Sequence, residues 1–178
     1  MEIDDLTGLY NMRGMYDRIN LEISRNIRFG SGICAIMMDM DHFKRVNDDH
    51  DHLFGSFVLK EVGGIIKSSM RDVDFGARYG GDEFMVILTG TDYEGAMKYA
   101  ERLRRSIEEY DFNNGEHRMD LTTSMGLAVL RPSVGRNLTA KELVQWADRA
   151  LYESKETGRN RVKGFDLNEI DLDEKKAA

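Results

Sequence analysis

Apolar residues recur along the chain at two spacings, and these divide it into elements. Met12, Met15, Ile19, Ile23 and Ile27 fall every three or four positions. This predicts an amphipathic helix over 12–28, stopped by Gly30 and Gly32. Ile33 to Met38 is apolar without a break and predicts a central strand covered on both faces. It runs into Asp39-Met40-Asp41. Residues two apart on a strand share a face, so Asp39 and Asp41 point the same way if the strand persists. Residues 44–51 are polar and are expected to form a short loop. Leu53 to Met70 reads as a helix with Phe57, Val58, Val62, Ile65 and Ile66 inward, although Gly63-Gly64 weakens its middle.

Two short extended runs, 74–79 and 84–88, flank Gly80-Gly81. Paired glycines between strands signal a two-residue hairpin turn, with positive φ expected at the glycines. Asp82 and Glu83 then sit just past a rigid turn. Thr91 with Glu94 fits a capping box. It opens a helix with Tyr93, Met97, Ala100, Leu103 and Ile107 on one face. Asn113-Asn114-Gly115 marks a turn, and 117–130 contains a strand ended by Pro132. Thr139 and Glu142 form a second capping box before a helix that buries Leu143, Ala147, Ala150 and Leu151, with Gly158 as its C′ residue. Arg161 to Phe165 is expected as a last short strand. The order implies an α/β (α+β) domain with a mixed central sheet flanked by helices.

With 178 residues, 41% hydrophobic and 32% charged, the chain suits one soluble domain. We expect that domain over 1–165, followed by a solvated acidic tail over 166–178. The net charge of -7 argues against a nucleic-acid partner. A phosphate ligand would need local Lys and Arg, or a metal ion. Cys34 lies inside an apolar run and is expected to be a buried core thiol. No apolar stretch is long enough for a membrane segment, and the start lacks a signal-peptide pattern, so the expected location is cytoplasmic.

Asp39 and Asp82 come from different strands and would meet if those strands are neighbours. Such carboxylates suit Mg²⁺, which takes a few oxygen ligands plus water and phosphate oxygens. Two ions could activate a hydroxyl and neutralise a leaving pyrophosphate. Lys44, Lys155 and Arg159 are cations suited to a triphosphate. Asp48, Asp49, His50, Asp51 and His52 superficially resemble a metal cluster. Their spacing matches no EF-hand or zinc pattern, and a loop beside the site is expected.

Arg78-Tyr79-Gly80-Gly81-Asp82-Glu83-Phe84 resembles the signature of the GGDEF family, the diguanylate cyclases. Four further stretches resemble that family's motifs in the right order. They are Asp4-x-Leu6-Thr7-Gly8-Leu9, Asp39 to Asp48, Thr122-x-Ser124-x-Gly126, and Ala147 to Asn160. The resemblance implies a fold like nucleotidyl cyclases and the polymerase palm. It implies that Asp39, the Met40 carbonyl and Asp82 hold Mg²⁺, with Glu83 on a second ion and Mn²⁺ as an alternative metal. It implies Asp82 as base for the 3′-hydroxyl. Lys44, Lys155 and Arg159 would bind triphosphate, helped by backbone N–H groups of His42 and Phe43. Asn47 and His52 would line the nucleoside pocket. Catalysis would need a homodimer with two facing half-sites, and an upstream sensory or regulatory domain would lie outside this chain. Arg71-x-x-Asp74 matches the family's inhibitory motif for a cyclic dinucleotide, with Arg102 contributing from a neighbouring subunit.

Two positions depart from the family pattern. Asp51 stands where a glycine is usual, and Ser56 where an aspartate reads guanine. A serine there resembles the hybrid promiscuous (Hypr) subgroup, which joins ATP with GTP into cyclic GMP-AMP. The expected function is therefore a cyclic dinucleotide synthase accepting GTP and ATP. The alternatives are a strict diguanylate cyclase and a catalytically weak module that acts as a cyclic dinucleotide receptor.

Overall fold

A computed structural model describes residues 1–173 of the chain. Its centre is a five-stranded sheet in the order β2-β3-β1-β6-β7. The strands are β1 (Ile33–Met40), β2 (Phe75–Arg78), β3 (Glu83–Thr89), β6 (Thr123–Leu130) and β7 (Val162–Asp166). The first three junctions are antiparallel, and β6 runs parallel to β7. The expected mixed sheet is thus observed. A separate two-stranded ribbon, β4 (Phe112–Asn113) with β5 (Arg118–Met119), stands apart from it. The stretch 117–130 therefore holds two strands rather than one.

Alternation along β1 sends side chains into two cores. Cys34, Ile36, Met38 and Met40 pack with α3 (His52–Ser69) and α4 (Tyr93–Glu108). Ile33, Ala35 and Met37 pack with α1 (Met12–Phe29) and α5 (Ala140–Glu156). Burial on both faces is why β1 reads as a continuous apolar run. It also keeps the Cys34 thiol fully buried, which pushes its pKa far up and leaves it a packing group.

The helix ends follow side-chain chemistry. Asn11 caps α1 by accepting from the Gly14 N–H, and Gly30 closes it at φ 71°. The Thr139/Glu142 capping box forms at α5. At the other end Gly158 adopts φ 128°, and the Arg159 N–H returns to the Ser154 carbonyl, the long bond of a Schellman motif. For α4 the cap is Asp92, which accepts from Gly95 N–H at 2.8 Å; Thr91 donates its hydroxyl to the Asp92 carbonyl instead. The expected Thr91 box is thereby replaced by a residue one position later.

Two further expectations change. The polar stretch after Phe43 is not a loop but a helix, α2 (Phe43–Asp49). It buries only Phe43 and Val46, too few positions for a visible period. The tail expected from Asp166 is docked at two apolar positions over its described part, with the residues between them exposed or half-buried. Leu167 and Leu172 are buried in the α1/α5 core, and the Asn168 carboxamide accepts from the Arg131 N–H at 3.0 Å. Arg136 also reaches the carbonyls of Leu167 and Ile170. Residues 174–178 lie outside the described residues. Among the described residues no helix is long and apolar enough to cross a membrane.

Candidate active site

The site lies where β1 ends, beside the loop before β3 and the start of β3. Asp39 is the direct cross-strand partner of Glu83 on β3 and of Ser124 on β6. Asp82 arrives on the loop between β2 and β3. That loop is not a tight primed turn. Tyr79 and Gly80 both donate to the Glu83 carbonyl, at 2.8 and 3.2 Å, and neither Gly80 nor Gly81 has positive φ. Arg78 fixes the loop from below, its guanidinium donating twice to the Gly81 carbonyl at 3.1 and 3.0 Å. The same guanidinium reaches Asp4 at 3.3 Å. Burial raises the Asp4 pKa, but the Thr7 hydroxyl and N–H together with Arg78 outweigh it and hold the carboxyl below its ordinary value. The opening motif is therefore a brace for the glycine loop.

Asp39, Asp82 and Glu83 form a cluster of negative charge. Burial, then the charge and hydrogen bonding of Asp39, push Asp82 up to about 6. Glu83 is also raised, by burial and then by Asp39, with Lys155 opposing. Lys155 extends from α5 to ion-pair with Asp39 Oδ2. Among the described residues the other oxygen, Asp39 Oδ1, is buried and has no hydrogen-bond partner. A buried carboxylate oxygen without a donor is costly, and carboxylates crowded together hold their protons too tightly. A divalent cation between them answers both deficits, so the residues fit a metal ion. The Met40 N–H points to the Asp82 carbonyl at 3.4 Å, which sets the Met40 backbone beside that cluster.

The close approach of α5 depends on Gly126. A Cβ there would lie 1.9 Å from the Leu151 nitrogen and 2.5 Å from the Ala147 carbonyl oxygen. Glycine lets the helix lie directly on β6, and this carries Lys155 over the strand end.

Asp41 has a different task from Asp39. It is buried and accepts from Thr122 Oγ1 at 2.7 Å, Ser124 Oγ at 2.6 Å and the Asn160 N–H at 3.1 Å. These bonds pin the turn after α5, where Arg159 and Asn160 both have positive φ. Arg159 Nη1 stands 4.0 Å from Asp41 Oδ1. Sequence reasoning missed Asp41, Thr122, Ser124 and Asn160 as a positioning network. The signal was present in Thr122-x-Ser124, two hydroxyls two positions apart where β6 begins.

The remaining predicted residues lie on α2 and α3. His42 precedes α2 at φ 56°, and Lys44 is exposed on its first turn. Asn47 is half-buried, its position fixed against Gly55, where a Cβ would meet Asn47 Oδ1 at 2.1 Å. His52 and Ser56 are exposed and one helical turn apart on α3. Asp51, where glycine was expected, is the N-cap of α3 and accepts from the Phe54 N–H at 2.8 Å.

Arg71 and Asp74 form a fork. Asp74 accepts from Arg71 Nε and Nη2 at 3.1 and 3.2 Å, from the Arg71 N–H at 3.0 Å and from the Thr89 N–H at 3.2 Å. The Asp74 side chain is 2% exposed and that of Arg71 60%. Both line a cavity of about 290 Å³ with Arg102, Lys98 and Tyr99. Arg102 thus belongs to this cavity within the same chain, rather than reaching it only from a neighbour.

The chain is 37% identical over 159 residues to diguanylate cyclase DgcP of Pseudomonas aeruginosa, covering 89% of this chain and 23% of that protein. It is 45% identical over 130 residues to diguanylate cyclase A of Treponema denticola, covering 73% of this chain and 34% of that one. It therefore spans about a quarter to about a third of the length of these relatives. The crystal structure of the GGDEF domain of DgcB from Caulobacter crescentus, in complex with c-di-GMP, superposes with a TM-score of 0.84 at 30% identity over 92% of both chains. Residues 1–161 match the family described as diguanylate cyclase, GGDEF domain, and the carboxylate cluster, the glycine loop and the braced β3 fall inside that match: the chain belongs to the GGDEF domain family.

Proposed function

We propose that this chain condenses two molecules of GTP into cyclic di-GMP with release of pyrophosphate. The carrying observation is the meeting of Asp39, Asp82 and Glu83 at the strand ends, with Lys155 on Asp39 and one carboxylate oxygen left without a donor. The relatives named diguanylate cyclases support the substrate and product. They give no support to the expectation, drawn from Ser56, that ATP competes with GTP. The proposal takes GTP alone as substrate.

In this reading Asp39, the Met40 carbonyl, Asp82 and Glu83 hold a divalent metal ion, Mg²⁺ or Mn²⁺. When bound, the metal supplies Lewis-acid activation and neutralises charge on the phosphates. Asp82 has a raised proton affinity, which suits a base that accepts the 3′-hydroxyl proton. Lys44, Lys155 and Arg159 face the triphosphate, with the first backbone N–H groups of α2 beside them. Asn47, His52 and Ser56 hold the nucleoside. One chain positions one nucleotide, so a second copy brings the partner nucleotide face to face. The Arg71, Asp74 and Arg102 cavity takes the cyclic dinucleotide as an inhibitor.

The test is product analysis after incubation with GTP and Mg²⁺. Cyclic di-GMP should form in the wild-type chain and not in Asp82→Asn. Product at the wild-type rate from folded Asp82→Asn would remove the site from the chemistry.

A further inference from the structure

A second group of ligand atoms lies away from the catalytic carboxylates. Asp51 at the start of α3, and Glu116 and His117 at the turn between β4 and β5, converge. One oxygen or nitrogen atom from each lies within 4.8 Å of the others. Asp51 Oδ2 and His117 Nε2 are 3.8 Å apart. Bonds of about 2.0–2.1 Å from nitrogen and oxygen to a tetrahedral ion place neighbouring ligands about 3.4 Å apart. The Asp51–His117 pair therefore needs only a few tenths of an ångström of adjustment, and Glu116 is an exposed side chain free to swing in.

Three features separate this group from stray surface charge. Among the described residues neither Asp51 nor Glu116 has an ion pair with Lys or Arg, although the two carboxylates crowd together. Asp51 divides its oxygens. Oδ1 caps α3, and Oδ2 is the one turned to His117. The His117 ring is held between His50, with ring centroids 4.8 Å apart, and Phe54, at 5.7 Å edge-on. A ligand whose ring is already held loses less freedom on binding metal.

We propose that Asp51, Glu116 and His117 bind a divalent transition-metal ion of the zinc class, with water completing the shell. An imidazole in the donor set favours Zn²⁺ over Mg²⁺, which prefers oxygen and keeps its water. The site differs in chemistry from the all-oxygen cluster at Asp39 and Asp82, so both can be filled at once. Bound zinc fastens the β4–β5 turn onto the first turn of α3, the helix that carries His52 and Ser56.

The test is calorimetric titration of Zn²⁺ into the full chain in excess Mg²⁺, without nucleotide, so the result does not depend on turnover. One zinc should bind per chain. His117→Ala and Glu116→Gln should each weaken it at least ten-fold. Asp51→Asn, which keeps the helix cap, should do the same, and Asp82→Asn should leave it unchanged. Zinc should raise the melting temperature of the wild type and not that of His117→Ala. Absence of zinc binding would overturn the proposal. So would affinity untouched by His117→Ala and Glu116→Gln, or binding lost only in Asp82→Asn.

Discussion

Asp39 and Glu83 stand directly opposite one another across β1 and β3. Two carboxylates at one register position would repel in an ordinary sheet. Here Lys155 meets one side of the pair, and Asp82 on the adjoining loop adds a third negative charge. The crowding raises the proton affinity of Asp82 and Glu83, and several measurements follow from it.

The first concerns pH and stability without metal. The Asp82 pKa is raised from 3.8 to about 6 by burial and Asp39. The folded protein therefore binds this proton more tightly than the unfolded chain does. The stabilisation is fully present below about pH 4 and is lost as pH rises through about 6. Asp82→Asn should thus stabilise the metal-free protein at pH 7 by about 1 kcal/mol, after discounting for solvent screening of a half-exposed group. Below pH 4 the gain should vanish. Denaturant titrations in chelator at several pH values check this; a gain independent of pH would refute it.

Gly126→Ala probes the seat of α5. The new Cβ would meet backbone atoms, not flexible side-chain ends. The helix must lift, and Lys155 moves with it. We expect a loss of about 3 kcal/mol or more of stability. Turnover should fall even in the fraction that remains folded. Wild-type activity in this variant would show that Lys155 needs no close placement.

Asp41→Asn tests the positioning network. Asp41 accepts from three donors, and an amide can accept on only one of its two atoms. A buried donor left without an acceptor costs about 1–3 kcal/mol. The Arg159–Asn160 turn should loosen, so KM for the triphosphate should rise more than kcat falls. The reverse pattern would mean that Asp41 acts on chemistry rather than on placement.

The fork at Arg71 and Asp74 should separate binding from folding. Arg71 is largely exposed, so Arg71→Ala should relieve inhibition by cyclic di-GMP and leave the melting temperature within a few degrees. Asp74→Ala removes the acceptor of the buried Thr89 N–H as well, and should cost about 2 kcal/mol. Calorimetry on dinucleotide-free protein together with thermal unfolding checks both. Equal destabilisation by the two variants would contradict the burial asymmetry.

Base choice tests the role of Ser56. A site that rejects a base through a specific hydrogen bond can discriminate by roughly 10⁴-fold, whereas one neutral hydroxyl contributes about 1 kcal/mol. Strict use of GTP would therefore require other pocket groups, Asn47 among them, to read the base. With radiolabelled ATP and unlabelled GTP, the expected product is unlabelled cyclic di-GMP. Adenine label in the product would show that the pocket does not reject adenine, and loss of that label in Ser56→Asp would assign the tolerance to residue 56.

Local rules were enough for the long elements and for setting Asp39 and Asp82 at neighbouring strand ends. The period of Met15, Ile19 and Ile23, the unbroken run of β1 and the Thr139/Glu142 box are short-range signals that need no partner to be read. They failed where an element exists only because something covers it. With Phe43 and Val46 as its only buried residues, α2 is held as a helix by packing against α3. The charged stretch after Asp166 is docked because Leu167 and Leu172 find the α1/α5 core. The glycine loop took its shape from Arg78 and the Glu83 carbonyl rather than from glycine's own preference for positive φ. Tertiary structure alone divided the labour between Asp39 and Asp41, two residues apart on one strand end. Strand order sets β3 and α5 beside the first and the Thr122, Ser124 and Asn160 donors around the second. A carboxylate's role follows from the charges and donors that surround it, and those come from residues more than forty positions away in the chain.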